Sequence, residues 1–485
     1  MIPFGPFRPD AAGINTPVCR MAKGCLPEIG GFKPLPSLQP ATDTLTGNVA
    51  CLGGAVMFEA DGTVHSFAGT SADLCKLQAD STWADVSRLV GGAYSTGSGE
   101  RWRFETFGDL VLATTISEPL QKFALSASTN FEALGGSPPR ARYIAVVRDF
   151  VLLGGIQNNE SRVQWSAINN AEGWTAGTDS SDYQDFPSGG PVRGVVGGEV
   201  AYVFQASKVT RMTFVPGSAE IFQFDEVEGG RGLAAPHSLV RIGGDAYYMA
   251  QDGFYRFSLA GGGSTPIGVG KWSRWFAADR RPGTEQLVIG GVDPARQVIM
   301  WAYVPVTSSG STPTRVLIYD WAMDEATVAD ITVLAMSQWL TQGVTLDDLG
   351  AFGTLDELPF SLDSPVWRGG VGLLGLFGSD NKLSYLAGSP MAAQFVTSDG
   401  QSDGRVFVKG VRPSIDTSSV AVSVAGRERD ADAVTFGSGS AMEDTGICSQ
   451  HVSGNLIRAQ VDVAAGASWT KAKGLVPVLG RQGKR

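Results

Sequence analysis

Short apolar segments alternate with turns marked by Gly or Asp along most of this chain, a pattern that predicts β-strands rather than helices. The pattern recurs in seven units, which begin near Val49, Phe107, Val147, Val196, Ile242, Gly291 and Arg368. Most of these starts are roughly 40 to 60 residues apart, which is typical of the four-stranded blades of a β-propeller. The last interval is longer and predicts an insertion.

Two pairs of segments support a true repeat. Residues 197–205 align with residues 243–251, and residues 57–64 resemble residues 248–255 as hairpins with an Asp-Gly turn. The most apolar runs lack alternation, as expected for strands buried on both faces; they are 110–113, 150–153, 200–204 and 298–301.

We therefore predict an all-β chain in which residues 46–390 form a β-propeller of six or seven blades. The alternative is a long chain of β-sandwiches, which would show cleaner alternation of apolar and polar positions. The side chains predicted to be buried in the propeller are Leu112, Val151, Leu152, Val203, Met249 and Ile299.

The two ends differ from the middle. Eight prolines among the first 40 residues favour an extended arm over residues 1–45, either mobile or ordered only against a neighbouring subunit or another protein. Within the propeller, Thr residues followed by acidic residues predict a partly helical insertion near 331–366. Alternating strands in 391–485 predict a small β-sandwich-like domain that ends in a basic tail.

Charge and cysteine usage exclude several classes of protein. The formal net charge of −10 does not suit a basic nucleic-acid-binding protein. Five cysteines without a CxxC pair, together with three histidines, make a zinc site improbable and predict free thiols. The first residues lack the layout of a signal peptide, and no apolar run is long enough to span a membrane.

The sequence contains no complete catalytic motif. The Gly-rich stretch 261–272 has Thr265 and Trp272 where a phosphate-binding loop needs Gly and Ser or Thr. The carboxylates of Asp179, Asp182 and Asp185 surround Tyr183, but they lack the spacing of a calcium loop. Paired carboxylates for glycoside hydrolysis are conceivable, yet the arginines that a sialidase requires are scattered along the sequence and the histidines look structural. We predict no enzymatic activity, no cofactor and no metal site.

Several segments resemble large structural proteins of tailed phages. They are RWRFETFGD (101–109), PPRARYIA (138–145), RVQWS (162–166) with WT (174–175), DGFY (252–255) and SLDSPVWRGG (361–370). Together they span about residues 100–370 and resemble the tail nozzle or packaged-DNA stabilisation proteins of short-tailed phages. Neither the N-terminal arm nor the part after residue 390 is covered.

This resemblance implies a β-propeller subunit of a homo-oligomeric ring, expected to be a hexamer, in the virion tail after synthesis in the host cytoplasm. Its implied partners are further copies of the chain, portal and adaptor proteins, tail fibre or spike proteins, and DNA that passes without sequence-specific binding. If so, acidic residues are candidates for the channel lining: Asp179, Asp182, Asp185, Asp347 and Asp348. The alternative is a receptor- or glycan-binding propeller, in which the tryptophans form binding platforms instead of packing blades together.

Overall fold

The computed structural model describes residues 1–59, 61–218, 220–340 and 372–480. Within these ranges, short helices interrupt an otherwise all-β structure: one α-helix, Ser273–Asp279, and three 3-10 helices, Thr46–Asn48, Pro236–Ser238 and Glu285–Leu287. Most strands belong to four-stranded antiparallel units, which we number as blades in the order of their first strands.

The strands of each blade follow one another from the axis outward. Blade 1 is Gly53–Phe58, Val64–Gly69, Leu74–Leu77 and Trp83–Asp85; blade 2 is Arg103–Phe107, Leu110–Thr114, Gln121–Ala124 and Glu132–Ala133; blade 3 is Ala141–Val147, Phe150–Ile156, Asn159–Trp165 and Asp182–Asp185; blade 4 is Val192–Val196, Val200–Gln205, Lys208–Phe214 and Phe222–Gly229. Blade 5 is Val240–Ile242, Asp245–Ala250, Gly253–Ser258 and Ser264–Ile267; blade 6 is Ile289–Asp293, Val298–Tyr303, Arg315–Asp320 and Glu325–Ala329; blade 7 is Ala335–Leu340, Gly372–Phe377, Lys382–Pro390 and Pro36–Thr44.

These units form a β-propeller, as predicted. Six of them are separate sheets, and blade 6 is the first part of a larger, 14-stranded sheet. First strands of neighbouring blades lie side by side around the axis, and blade 7 contacts blade 1 to close the ring. Within the described residues, seven clusters of buried apolar side chains fill the spaces between successive blades.

The predicted repeat matches these blades with a shift. Phe107, Val147, Val196 and Ile242 are the last residues of first strands, so each blade begins a few residues earlier than predicted. The four most apolar runs all lie in second strands, which have neighbours on both sides and both faces covered. All six side chains predicted to be buried are at most 3% exposed.

Aromatic side chains pack against each other between blades, which confirms the packing interpretation of several tryptophans. The rings of Phe254 and Trp301 join blades 5 and 6 with centroids 4.4 Å apart, and those of Trp83 and Trp339 join blades 1 and 7 at 6.1 Å. Trp102 is buried against Tyr94, 5.1 Å away. Such pairs bury large apolar areas and fix the angle between neighbouring sheets.

The prediction that residues 1–45 form an extended arm, mobile or ordered only against another protein, is wrong. Pro36–Thr44 is the fourth strand of blade 7, where it pairs antiparallel with Lys382–Pro390. Pro36 and Pro40 are tolerated because this strand lies at the outer edge of its sheet, where a missing N–H breaks no second ladder. Its register shifts where the prolines occur. The N-terminal segment therefore closes the ring.

The earlier part of this segment is also ordered against its own chain, and not against a neighbouring subunit as predicted. Cys19–Lys23 lies between blade 6 and Ala393–Thr397, and Cys25–Glu28 forms a hairpin with Gly31–Pro34. Ile2–Pro3 pairs with Ala472–Gly480. These pairings continue the sheet of blade 6 into the C-terminal part of the chain.

The C-terminal part is composed of strands, as expected: Ala393–Thr397, Gly400–Ile415, Val420–Arg427, Ser440–Ala441, Cys448–Val463 and Ala472–Gly480. Rings from distant strands of this sheet meet, since Phe395 stacks on Phe4 and Phe32 with centroids 4.9 and 5.3 Å apart. The sheet therefore bends around one apolar core. The basic tail after residue 480 lies outside the described residues.

The prediction of a partly helical insertion near 331–366 is wrong for residues 331–340, which contain no helix. Ala335–Leu340 is the first strand of blade 7, and its apolar side chains pack on blades 6 and 1. Residues 341–371, which contain most of the predicted insertion, lie outside the described residues. They connect the first and second strands of this blade.

Candidate functional site: a basic cluster at the propeller axis

Basic side chains gather at one end of the axis because successive blades begin there. Arg103 and Arg142 are the first and second residues of the first strands of blades 2 and 3, and Arg193 is the second residue in blade 4. Arg101 precedes blade 2, and His237 lies in the 3-10 helix before blade 5. We call these five residues the axial basic cluster.

The innermost contact of the cluster joins Arg103 to His237. The guanidinium Nη2 of Arg103 donates to Nδ1 of the His237 ring over 2.8 Å. Burial, together with the charges of Arg103 and Arg101, holds the pKa of His237 well below its usual range. A backbone hydrogen bond at Gly99 acts in the opposite direction but is outweighed. His237 is therefore a neutral acceptor.

The guanidinium groups of the cluster bind mainly backbone carbonyls. Nη1 of Arg101 donates to the Leu334 carbonyl over 2.8 Å, and Nη1 of Arg193 donates to the carbonyls of Leu233 and Ala234 over 3.2 and 3.1 Å. Burial and the nearby Arg103 lower the pKa of Arg101 to about 10. Within the described residues, no carboxylate oxygen lies within 4.0 Å of the guanidinium of Arg101, Arg103 or Arg193.

A cavity of about 160 Å³ opens beside the cluster. Its lining includes Arg101, Arg142, Arg193, His237 and the ring of Tyr143. Two carboxylates also line it, and both have other partners. Glu160 accepts from Arg142 over 3.3 Å, whereas Glu100 accepts from the hydroxyls of Thr115 and Ser117 over 3.0 and 2.7 Å.

A second cavity farther along the axis contains a perturbed acid. Glu105, in the first strand of blade 2, shares this cavity with Arg103, Tyr143 and Arg241. Burial raises the pKa of the Glu105 carboxyl to about 7, against small opposing effects of the Thr106 backbone N–H and Arg241. Arg241 itself donates to the Gly197 carbonyl over 2.8 Å. Glu105 is thus partly protonated near neutral pH.

The acidic residues that the sequence suggested lie elsewhere. Asp182 and Asp185 are in the outermost strand of blade 3, and Asp179 is exposed in the turn before it with a φ of 48°. Asp185 binds Arg162 through two bonds of 2.6 and 2.8 Å, while that guanidinium covers the Tyr183 ring at 3.9 Å. They do not line the propeller's own axis. Asp347 and Asp348 lie outside the described residues.

The axial cluster was missed because its members are far apart in sequence. Our interpretation of the arginines as scattered is corrected: Arg103, Arg142, Arg193 and Arg241 recur once per blade in first strands, which brings them to one axis. His237 is one of their neighbours. The recurrence of one arginine per blade, at the spacing of the repeat, was the sequence signal that could have located the site.

Other chemistry is limited in the described part of the chain. There, no group of three or more His, Cys, Asp or Glu side chains is placed to hold a metal ion. All five cysteines are buried free thiols, which confirms the prediction. Among the described residues, no helix is long and apolar enough to cross a membrane.

Comparisons with known proteins assign no family. No family model and no curated protein matches this chain. Similar solved structures include the extracellular domain of a one-component system of B. thetaiotaomicron, with 9% identity and a TM-score of 0.42 over 78% of this chain and 43% of that one. BamB of Moraxella catarrhalis has 12% identity and a TM-score of 0.38, over 75% of this chain and 92% of BamB. Virginiamycin B lyase of Staphylococcus aureus has 10% identity and a TM-score of 0.36, over 58% of this chain and 95% of the lyase. This chain therefore spans less than half of the first of these proteins, and none of the three likenesses identifies its function.

Proposed function

We propose that this protein is a structural subunit of a phage tail, which forms the nozzle or head-to-tail ring that retains packaged DNA and conducts it at ejection. The proposal begins from the resemblance of the segments between about residues 100 and 370. It includes a homohexameric ring in the virion, contacts with portal, adaptor and fibre proteins, and no catalytic turnover.

The observation that carries the proposal is a fixed loop that presents apolar side chains to solvent. In the connection between blades 1 and 2, Leu89 and Val90 are 82% and 87% exposed. Arg88 fixes this loop: it binds Glu118 over 2.9 Å, donates to the Gly92 carbonyl over 3.0 Å and covers the Tyr94 ring at 4.5 Å. An adjacent apolar pair held in one conformation suits a subunit contact, because little entropy is lost when it is buried.

The pairing of the N-terminal strands with the propeller and the C-terminal part also suits a subunit that must resist mechanical force. The strand Cys19–Lys23 links blade 6 to the C-terminal part within one hydrogen-bonded sheet, and Pro36–Thr44 closes the ring. Force on either part is then resisted by whole ladders of backbone hydrogen bonds that must break together. The glycan-binding alternative loses its main support, because the side chains of Trp102, Trp272 and Trp301 are buried.

On this proposal, the acidic outer edge of blade 3 remains the candidate lining of the assembled channel. Asp179 and Asp182 offer carboxylates there, whereas Asp185 is paired with Arg162. Negative walls weaken contacts with DNA phosphates, because each Lys or Arg contact would release counterions and add affinity that slows transit.

Particle mass tests the assembly. We expect the purified protein to form particles of about six times the 51.0 kDa chain mass, and the double variant Leu89→Asp, Val90→Asp to remain monomeric with an unchanged melting temperature. Val306→Asp, which alters another exposed apolar side chain on blade 6, is the matched control and should assemble. Monomers of the unaltered protein over the whole accessible concentration range would contradict the proposal.

A further inference from the structure

We propose that the axial cavity bounded by Arg101, Arg193 and Tyr143 binds a small tetrahedral oxyanion of the phosphate or sulfate class. This site is independent of the tail function, since it lies inside one propeller and its lining comes from a single chain.

The first support is the set of donors still available in the cavity. Arg101 and Arg193 use only Nη1 in their hydrogen bonds to carbonyls. A guanidinium has five N–H donors in a planar fork, which suits the oxygens of phosphate and sulfate. Within the described residues, the other nitrogens of these two guanidinium groups have no hydrogen-bond partner, and both residues line the cavity. Tyr143 lines it as well.

The second support is the uncompensated charge. Burying a cation without a counter-ion is costly, so clustered guanidinium groups are normally paired with carboxylates. Among the described residues, Arg142 is the one arginine of the cluster with a carboxylate partner, Glu160, while Arg103 is hydrogen-bonded to His237. Glu100 also lines the cavity, so the four arginines of the cluster outnumber the two carboxylates there. An anion in the cavity would supply the missing negative charge.

The size of the cavity restricts the class of ligand. Pockets for drug-sized molecules measure roughly 300 Å³ or more, whereas this cavity measures about 160 Å³. An inorganic oxyanion fits such a volume, and a larger cavity of about 820 Å³ adjoins it at Arg193. Arginines from separate segments line it, and several charge-assisted donors suit the four oxygens of phosphate or sulfate better than the two of a carboxylate.

Titration calorimetry on the full chain tests the site. Inorganic phosphate, sulfate and acetate are titrated separately at constant ionic strength. We expect phosphate and sulfate to bind at one site per chain and acetate to bind at least about tenfold more weakly. Absence of phosphate and sulfate binding, or stronger binding of acetate, would overturn the proposal.

Variants separate the site from general charge effects. Arg193→Gln and Arg101→Gln should each weaken phosphate binding by at least about tenfold, as the loss of a charge-assisted contact implies. Arg162→Gln, which removes an arginine from the outer part of blade 3, is the control and should bind phosphate normally. Unchanged affinity in both axial variants would overturn the site.

Thermal unfolding provides a second readout if one variant folds poorly. A ligand that binds only the folded state raises the melting temperature with its concentration. Phosphate should raise the melting temperature of the unaltered protein and of Arg162→Gln more than chloride does at equal ionic strength. An equal rise in Arg193→Lys, which keeps the charge but lacks the fork, would contradict the assigned geometry.

Discussion

The guanidinium Nη2 of Arg103 lies 2.8 Å from Nδ1 of His237, which connects the first strand of blade 2 with the segment that leads into blade 5. The two residues are 134 positions apart in sequence. This contact spans the propeller axis and requires a neutral imidazole, because an imidazolium ring has no acceptor nitrogen. The protonation of His237 is therefore coupled to folding.

His237 should lower stability in acid. The pKa of His237 is lower in the folded state than in the unfolded chain. At a pH below the pKa of the unfolded chain, His237 is therefore protonated when the chain is unfolded and stays neutral when it is folded. The free energy of unfolding thus falls as pH decreases below about 6.5. We expect His237→Gln to lose part of this dependence in denaturant titrations at pH 5 and 7.5. An identical pH dependence in both proteins would contradict the neutral histidine.

Glu105 should have the opposite effect. Its pKa is raised to about 7 in the folded state, so stability is greatest when the carboxyl is protonated and falls as pH rises from about 4.5 through 7. Glu105→Gln keeps a hydrogen-bonding amide without the charge, and should therefore be more stable than the unaltered protein at pH 8, by on the order of 2 kcal/mol. At pH 4 the two should be similar. Equal stability at pH 8 would show that the carboxylate is not desolvated.

Asp399 holds the N-terminal segment and the C-terminal part together. Its buried carboxylate accepts hydrogen bonds from Arg427 and Arg458 at 2.5 Å each. Its backbone N–H donates to the Gly13 carbonyl, and its backbone carbonyl accepts from the Asn15 N–H. Asp399→Asn leaves the partly buried Arg458 without its carboxylate partner, and leaves Arg427 with the exposed Asp430 alone, which should cost about 3 kcal/mol of unfolding free energy. Glu226→Gln, in the more exposed pair with Lys208, is the control and should cost less than about 1 kcal/mol.

Removal of residues 1–44 tests the closure of the ring. Without Pro36–Thr44, the third strand of blade 7 loses its outer neighbour, and the apolar side chains of Leu35 and Leu38 leave their cluster. We expect the truncated chain to lose cooperative thermal unfolding. A truncated protein with the melting temperature of the full chain would show that the strand is dispensable.

The propeller could be predicted because the sequence patterns that indicate it lie within short segments of the chain. Second strands such as Phe150–Ile156 are apolar throughout, and glycine-marked turns recur with the period of a blade. The strand Pro36–Thr44 could not be predicted, since prolines are compatible with an outer edge and its partner lies more than 300 residues away. Local propensity carries no information about such a pairing.

The axial site was hidden for a related reason. Arg101, Arg193 and His237 meet only because the blades close into a ring, and each looks unremarkable in its own segment. By contrast, Asp182 and Asp185 stand out as a local acidic group, yet they lie on the outer strand of one blade. Proximity in sequence was a poor guide to proximity in the fold.

The shape and symmetry of the assembled particle test the central claim most directly. In negative-stain images of the purified full chain, we predict closed rings whose class averages have sixfold symmetry and an open central channel. Separate, asymmetric particles of the size of one 51.0 kDa chain would contradict the ring, and with it the proposed role in the phage tail.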